Sequence, residues 1–323
     1  MVVIDFFAMG SPCQILIDVL ENSSNLNKIP FIRSQLLTEM ERLEKKYSRF
    51  KPDSTLSKIN NSLQACHSLE IDDETLGLLN YADTAYEISD GLFDITIAPL
   101  SRLWDFRSQI IPSDEEIKKA LKNVSWSSVS IDKRKISANK AVNLDLGGIV
   151  KEYAADRLAA LLHLAECSAS LINLGGDIRV VGPKISGLPW KISVDDFANR
   201  LTSDSTEKKS IHSKKNEMLP VLYLKSGAVA TSGTDYRGFW IDKTWYCHLI
   251  NSKTGWPIPR TLLSVTTITD LCVTAGTLTT TALLFGKQKA EMWLDQLSVA
   301  YIIRDVNQSW NFNDKFKELM HEH

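Results

Sequence analysis

Two glycine pairs in this chain stand beside carboxylates, and one of them is followed by a lysine. In LDLGGIVKEYAADR (residues 144–157) Asp145 precedes Gly147 and Gly148, and Lys151 falls in the first turn of a predicted helix. A glycine turn feeding a helix N-terminus is a ready anion site, because backbone amides can approach the ligand and the helix dipole favours negative charge. The spacing is neither GxGxxG nor GxxxxGK[ST], and the same residues would also serve as a plain tight turn. NLGGDIR (173–179) repeats the arrangement with Gly175, Gly176 and Asp177, and GLFDITIAPLSRLWDF (91–106) sets Asp94 and Thr96 among apolar residues.

The elements that must position these residues follow from periodicity. Residues 2–20 form two apolar runs broken at Gly10 to Pro12, which predicts a strand pair or a kinked strand. Ile32, Leu36, Met40, Leu43 and Tyr47 share one face of a predicted amphipathic helix, and a second helix is predicted from Asp73 to Ser89, closed at Gly91. Ser113 with Glu116 three residues on is a capping box. A strand is expected before Gly147, and after it a helix with Val150, Ala154, Leu158, Leu161 and Leu162 inward; ASLINLGGDIRVVG reads as another strand interrupted by glycines. LCVTAGTLTTTALLFG (271–286) reads as a loop turning into a buried helix, rich in hydroxyls and without a carboxylate.

With 323 residues, 44% of them hydrophobic, the chain can bury a large core as one domain or two intimately packed ones; a single domain over 1–323 is expected. The polar segment 196–219, with Lys208, Lys209, Lys214 and Lys215 among serines, reads as a solvated surface insertion. A net charge of −2 argues against a nucleic-acid binder relying on a basic surface. Five scattered cysteines show no zinc spacing. Neither a signal peptide nor a membrane span is evident, so a cytoplasmic location is expected, or a periplasmic one if a leader has been trimmed.

Taken in order with AMGSP, YSRFKPDSTLSKIN (47–60), ATSGTDYRGFW (230–240) and HLINSKTGWPI (248–258), these motifs resemble the FAD:protein FMN transferases, the ApbE flavin transferases, from Met9 to about Gly286. The resemblance implies an α+β fold of mixed, largely antiparallel sheets with packed helices, in two lobes with a flavin-binding cleft. It implies transfer of FMN from FAD to a serine or threonine hydroxyl of a partner flavoprotein, Mg²⁺-dependent, with release of AMP. It places Met9, Phe50, Leu92, Phe93, Asp94, Asp145, Lys151 and Ile250 at the flavin nucleotide, Gly148 and Thr280 at the metal, and His248 and Asp177 as candidates for positioning or proton transfer. Outside the resemblance Met9, Phe50, Phe93 and Ile250 read as core, Asp94 and Asp145 as turn caps, His248 as a structural histidine, and Tyr236 and Arg237 as cleft or surface residues.

One departure stands out. The resemblance implies an aspartate as a main metal ligand where this chain has Gly276, and often a second where it has Thr279. Magnesium takes hard oxygen ligands and usually at least one carboxylate. Phosphates and water could hold a weak metal, another acid such as Asp270 could take the role, or the chain could bind FAD without transferring it. Hydrolysis of the FAD pyrophosphate by water is a further alternative.

Overall fold

The computed structural model describes residues 1–20, 24–194, 219–235 and 237–321. The chain opens with a hairpin of β1 (Val2–Ala8) and β2 (Ser11–Ile17), turned at Met9 (φ 49°) and Gly10 (φ 76°). Positive φ at both central residues makes a two-residue primed turn. Pro12 therefore belongs to β2, opposite Phe7, rather than to the break. In α1 (Ser24–Tyr47) the five residues of the predicted face, Ile32 through Tyr47, are all buried. Then come α2 (Thr55–Gln64), β3 (Leu69–Glu70) and α3 (Asp73–Ile88), the last capped by Asp72, whose carboxylate accepts from Thr75 N at 2.8 Å. α4 (Ala98–Leu103) and α5 (Asp114–Leu121) follow, the latter opened by the predicted Ser113–Glu116 capping box, and then β4 (Val129–Asp132) and β5 (Lys135–Ala138).

The strand expected before Gly147 does not form. Residues 141–146 run without a ladder partner. The Asn60 side chain replaces one, accepting from Leu144 N at 2.6 Å and donating to Leu144 O at 3.0 Å, while Asp145 N donates to Ile95 O at 2.6 Å. The chain then turns into α6 (Val150–Leu164). The second glycine pair joins two antiparallel strands, β6 (Ser170–Leu174) and β7 (Asp177–Val180), instead of interrupting one. β8 (Trp190–Ser193) pairs with β9 (Val221–Leu224), and the expected polar insertion between them lies, except for Leu219, outside the described residues. The rest is β10 (Gly227–Gly233), β11 (Gly238–Ile241), β12 (Thr244–Cys247), β13 (Leu262–Thr269), α7 (Cys272–Phe285), α8 (Lys287–Gln296), β14 (Ala300–Asp305), β15 (Trp310–Phe312) and α9 (Asp314–Glu318).

The main sheet has eight strands in the order β1-β2-β6-β7-β10-β13-β14-β15, and its pairings are antiparallel, so the α+β expectation holds. Alternation of side chains sorts its residues between two layers. Ile15, Ile172 and Ala228 face a core shared with α1, α3 and α6, whereas Leu171, Val229 and Ile302 face one shared with β8, β9 and Phe316 of α9. A separate aromatic cluster of Trp104, Phe239 and Tyr246, with the aliphatic Ile250 packed in it, joins α4 and α5 to the β11–β12 hairpin. No helix among the described residues is long and apolar enough to cross a membrane.

Glu74 ties three helices under the site. It accepts from Arg42 of α1 at 2.8 and 2.7 Å, from Lys46 at 2.7 Å and from Tyr153 of α6 at 3.1 Å. The Arg42 guanidinium, then Lys46, hold its carboxyl down at about 2, below its ordinary 4.5. A depressed carboxyl stabilises fully above the unfolded value and loses that contribution as pH falls through the folded one. Glu74→Gln is therefore expected to cost roughly 1–3 kcal/mol at pH 7 and to flatten the loss of stability between pH 4.5 and 2. Urea midpoints across that range check this; an unchanged acid limb would contradict it.

Candidate functional site

Gly147 and Gly148 lie exposed at the start of α6, and among the described residues no backbone N–H bonds to the Gly148 carbonyl. The Phe93 ring lies against Gly148, 3.4 Å from where a Cβ would stand, at ordinary van der Waals distance. In the first turn of α6 the Lys151 ammonium is clamped by the Asp177 carboxylate at the β6–β7 turn and lies 3.4 Å from both Leu174 O and Glu152 Oε1. Asp177 is buried and also accepts from Thr231 N at 3.4 Å. On the other side Asp145 accepts from Gly147 N at 3.0 Å and pairs with Arg49 at 2.6 Å. Two cations, Arg49 paired with Asp145 and Lys151 held chiefly by Asp177, thus flank an exposed glycine turn at a helix N-terminus.

The other expected nucleotide contacts divide. Met9 is half-buried, its N–H donating to Glu44 at 3.1 Å, and its turn neighbours the Gly175–Gly176 turn, where Gly175 N donates to Pro12 O at 3.1 Å. Leu92 is half-buried, and its carbonyl and that of Gly91 accept from Ser252, which brings the Ile250 loop beside the Phe93 turn. Phe50 is 82% exposed, and the Arg49 guanidinium lies 4.9 Å from its ring centre. Ile250 is buried in the aromatic cluster. Asp94 points inward: it is buried and accepts from Thr96 N at 2.7 Å, Thr96 Oγ1 at 2.6 Å and Trp126 N at 3.2 Å, a cap as its residue type allows. Burial raises its carboxyl above the usual value, with these donors opposing.

α7 is buried almost all round, so its hydroxyls ordinarily need internal partners; Thr281 Oγ1 is buried without one. Thr277 accepts from Tyr81 at 3.0 Å, and Thr279 donates to Gly276 O at 2.9 Å. Ser232 of β10 lies 2.8 Å from Thr279 Oγ1 and 3.2 Å from Thr280 Oγ1. The N-terminus of α7 is capped from another helix: Asp156 of α6 accepts from Cys272 N and Val273 N at 2.9 and 3.0 Å. Gly276 then faces α6. A Cβ there would stand 2.6 Å from Glu152 Cγ, so the Glu152 side chain already fills that space. Glu152 is 7% exposed, and its Oε2 is buried without a hydrogen-bond partner. Asp270 is exposed in the turn before α7.

His248 is half-buried after β12, its Nδ1 3.2 Å from Arg237 O. Burial, opposed by that carbonyl, pushes its imidazole down to about 4, so it is neutral at pH 7. No hydrogen bond joins it to Asp177 among the described residues, and Tyr236 lies outside them.

The sequence pattern of the ApbE family matches residues 9–303, and so contains every motif of the site. The chain belongs to the ApbE family. FAD:protein FMN transferases of Chlamydia muridarum and Haemophilus influenzae are similar to it, 28% identical over 83% of this chain and 81% of theirs, and 29% over 81% and 75%. The crystal structure of the ApbE protein of Thermotoga maritima superposes with a TM-score of 0.85 at 30% identity, covering 99% of both chains. The flavin transferase ApbE of Vibrio cholerae, at 22% identity and a TM-score of 0.82, has the same fold.

Within the ApbE frame, Arg49, Asp156, Ser232 and Glu152 were not among the residues singled out from the sequence. A glycine inside a helix pattern often marks close approach of another group, and Gly276 carried that signal, but nothing local says which residue approaches it. Alanine in place of glycine in a helix ordinarily stabilises by about 1 kcal/mol. Gly276→Ala should instead destabilise by roughly 1–3 kcal/mol through overpacking against Glu152, and the double variant with Glu152→Gly should recover the loss. Thermal unfolding of the four proteins measures this; a stabilised Gly276→Ala single variant would contradict the contact.

Proposed function

We propose that this chain transfers FMN from FAD to a serine or threonine hydroxyl of a partner protein and releases AMP. The observation that carries the reading is the exposed Gly147–Gly148 turn at the N-terminus of α6, flanked by Lys151 and Arg49. A pyrophosphate is a concentrated anion that backbone amides, a helix dipole and fixed cations together recognise. The acceptor oxygen bonds to the FMN phosphorus while the bond from that phosphorus to the bridging oxygen breaks, so AMP leaves with the bridging oxygen on its phosphate. The hydroxyl proton needs an acceptor, and the neutral imidazole of His248 is in the form to take it. Asp177, held in its ion pair, orients the Lys151 ammonium.

A divalent cation would add charge stabilisation at the phosphates. No three His, Cys, Asp or Glu side chains gather into a metal cluster among the described residues. Magnesium at a nucleotide commonly takes one or two carboxylates and completes its shell with substrate phosphates and water. One buried carboxylate with a free oxygen, hydroxyls from Thr279 and Thr280, and the Gly148 carbonyl fit that pattern. Non-catalytic FAD binding is the second reading, favoured by Gly276 and Thr279 where the resemblance implies acids.

AMP release from FAD, followed with and without an acceptor protein bearing the target hydroxyl, separates the readings. Transfer predicts AMP in step with flavin attached to the acceptor; AMP without an acceptor means hydrolysis, and FAD binding without AMP means a binding protein. Lys151→Met is expected to weaken FAD binding, and His248→Asn to lower kcat by about 10²–10⁴ with FAD affinity kept. Because the imidazole is neutral down to about pH 4, His248 should add no inflection to kcat between pH 5 and 8. An inflection near 6.5 that disappears in His248→Asn would contradict the depressed imidazole, and an unchanged kcat in His248→Asn would contradict its role as proton acceptor.

A further inference from the structure

Lys151 is the only ammonium within ion-pair distance of Asp177 and Glu152 among the described residues, so two carboxylates share one cation. Asp177 takes the tight pairing and Glu152 stands at 3.4 Å through Oε1, which leaves Oε2 buried and unpartnered. A buried carboxylate oxygen without a donor is costly, and the first turn of a helix, with Gly148 and Lys151 around it, is where such a cost can serve binding. Beyond Glu152 lie neutral oxygens: the Gly276 carbonyl accepts from Thr279, which leads through Ser232 to Thr280. The geometry has one carboxylate, several hard neutral oxygens and a deficit of positive charge.

We infer that Glu152, reaching from α6 across Gly276, is the carboxylate ligand of a divalent cation at the nucleotide phosphates, in place of an acid carried by α7. The assignment rests on the proposed use of FAD. It gives Gly276 a reason: a side chain at that position would occupy the space through which Glu152 passes, since its Cβ would fall 2.6 Å from Glu152 Cγ. The two residues are alternative sources for one carboxylate, so an acid at 276 requires a small residue at 152.

The test is titration of the full-length protein with Mn²⁺ in the presence of FAD, followed by the loss of the free-ion EPR signal, with FAD affinity measured separately in EDTA. Wild type should bind one Mn²⁺. Glu152→Gln, which keeps shape and removes charge, should weaken Mn²⁺ by about tenfold or more and leave metal-free FAD affinity within about threefold. The reciprocal variant Glu152→Gly/Gly276→Asp should restore Mn²⁺ affinity to within about threefold of wild type, which also covers the case of a poorly folded Glu152→Gln. Unchanged Mn²⁺ affinity in Glu152→Gln, or no recovery in a folded reciprocal variant, would overturn the assignment. Wild type that binds FAD but no Mn²⁺ would overturn it and leave flavin binding standing; wild type that binds no FAD would overturn both.

Discussion

The close approach of α6 to α7 at Gly276 is the constraint on which the site depends. Glycine at that position lets a buried glutamate lie across the face of a helix, and Asp156, one turn further along α6, fastens the same two helices by capping α7 at Cys272 and Val273. The first two turns of α6 therefore have a fixed position relative to β10 and α7. Lys151 and Glu152 inherit that position, and so does the glycine turn ahead of them. Without the contact the residues would still be present in sequence, but not as a constellation, since a site needs its groups held to within a fraction of an ångström.

Charge follows from that geometry. Asp145 is matched by Arg49 and Asp177 by Lys151, so these carboxylates hold cations at the turn rather than repel an incoming phosphate. Glu152 is the exception, only partly served by Lys151. Net positive character at an anion site ordinarily comes from side chains and amides; here one unmatched carboxylate stands among neutral oxygens. Support from below comes from Glu74, which joins α1, α3 and α6 through Arg42, Lys46 and Tyr153.

Much of this was legible in the sequence where the signal is local. The α1 face, the Ser113–Glu116 box and the buried α7 depend on periodicity and capping within a few residues, and the order of the motifs pointed to the ApbE family. What escaped was non-local. The stretch before Gly147 has the composition of a strand, but its backbone is satisfied by the Asn60 side chain, 84 residues away. Asp94 has the residue type of a ligand and caps its own turn. Gly276 reads as a missing acid because the acid that fills its space comes from residue 152, on another helix.

On this account α6 supplies both the anion site and its carboxylate. A crystal structure of the protein soaked with FAD and Mn²⁺, with anomalous scattering collected at the manganese edge, tests it most directly. The expected result is a manganese peak at coordination distance, about 2–2.6 Å, from Glu152 Oε2, with the FAD pyrophosphate at the Gly147–Gly148 turn. Manganese bound away from Glu152, or a pyrophosphate seated elsewhere, would contradict it.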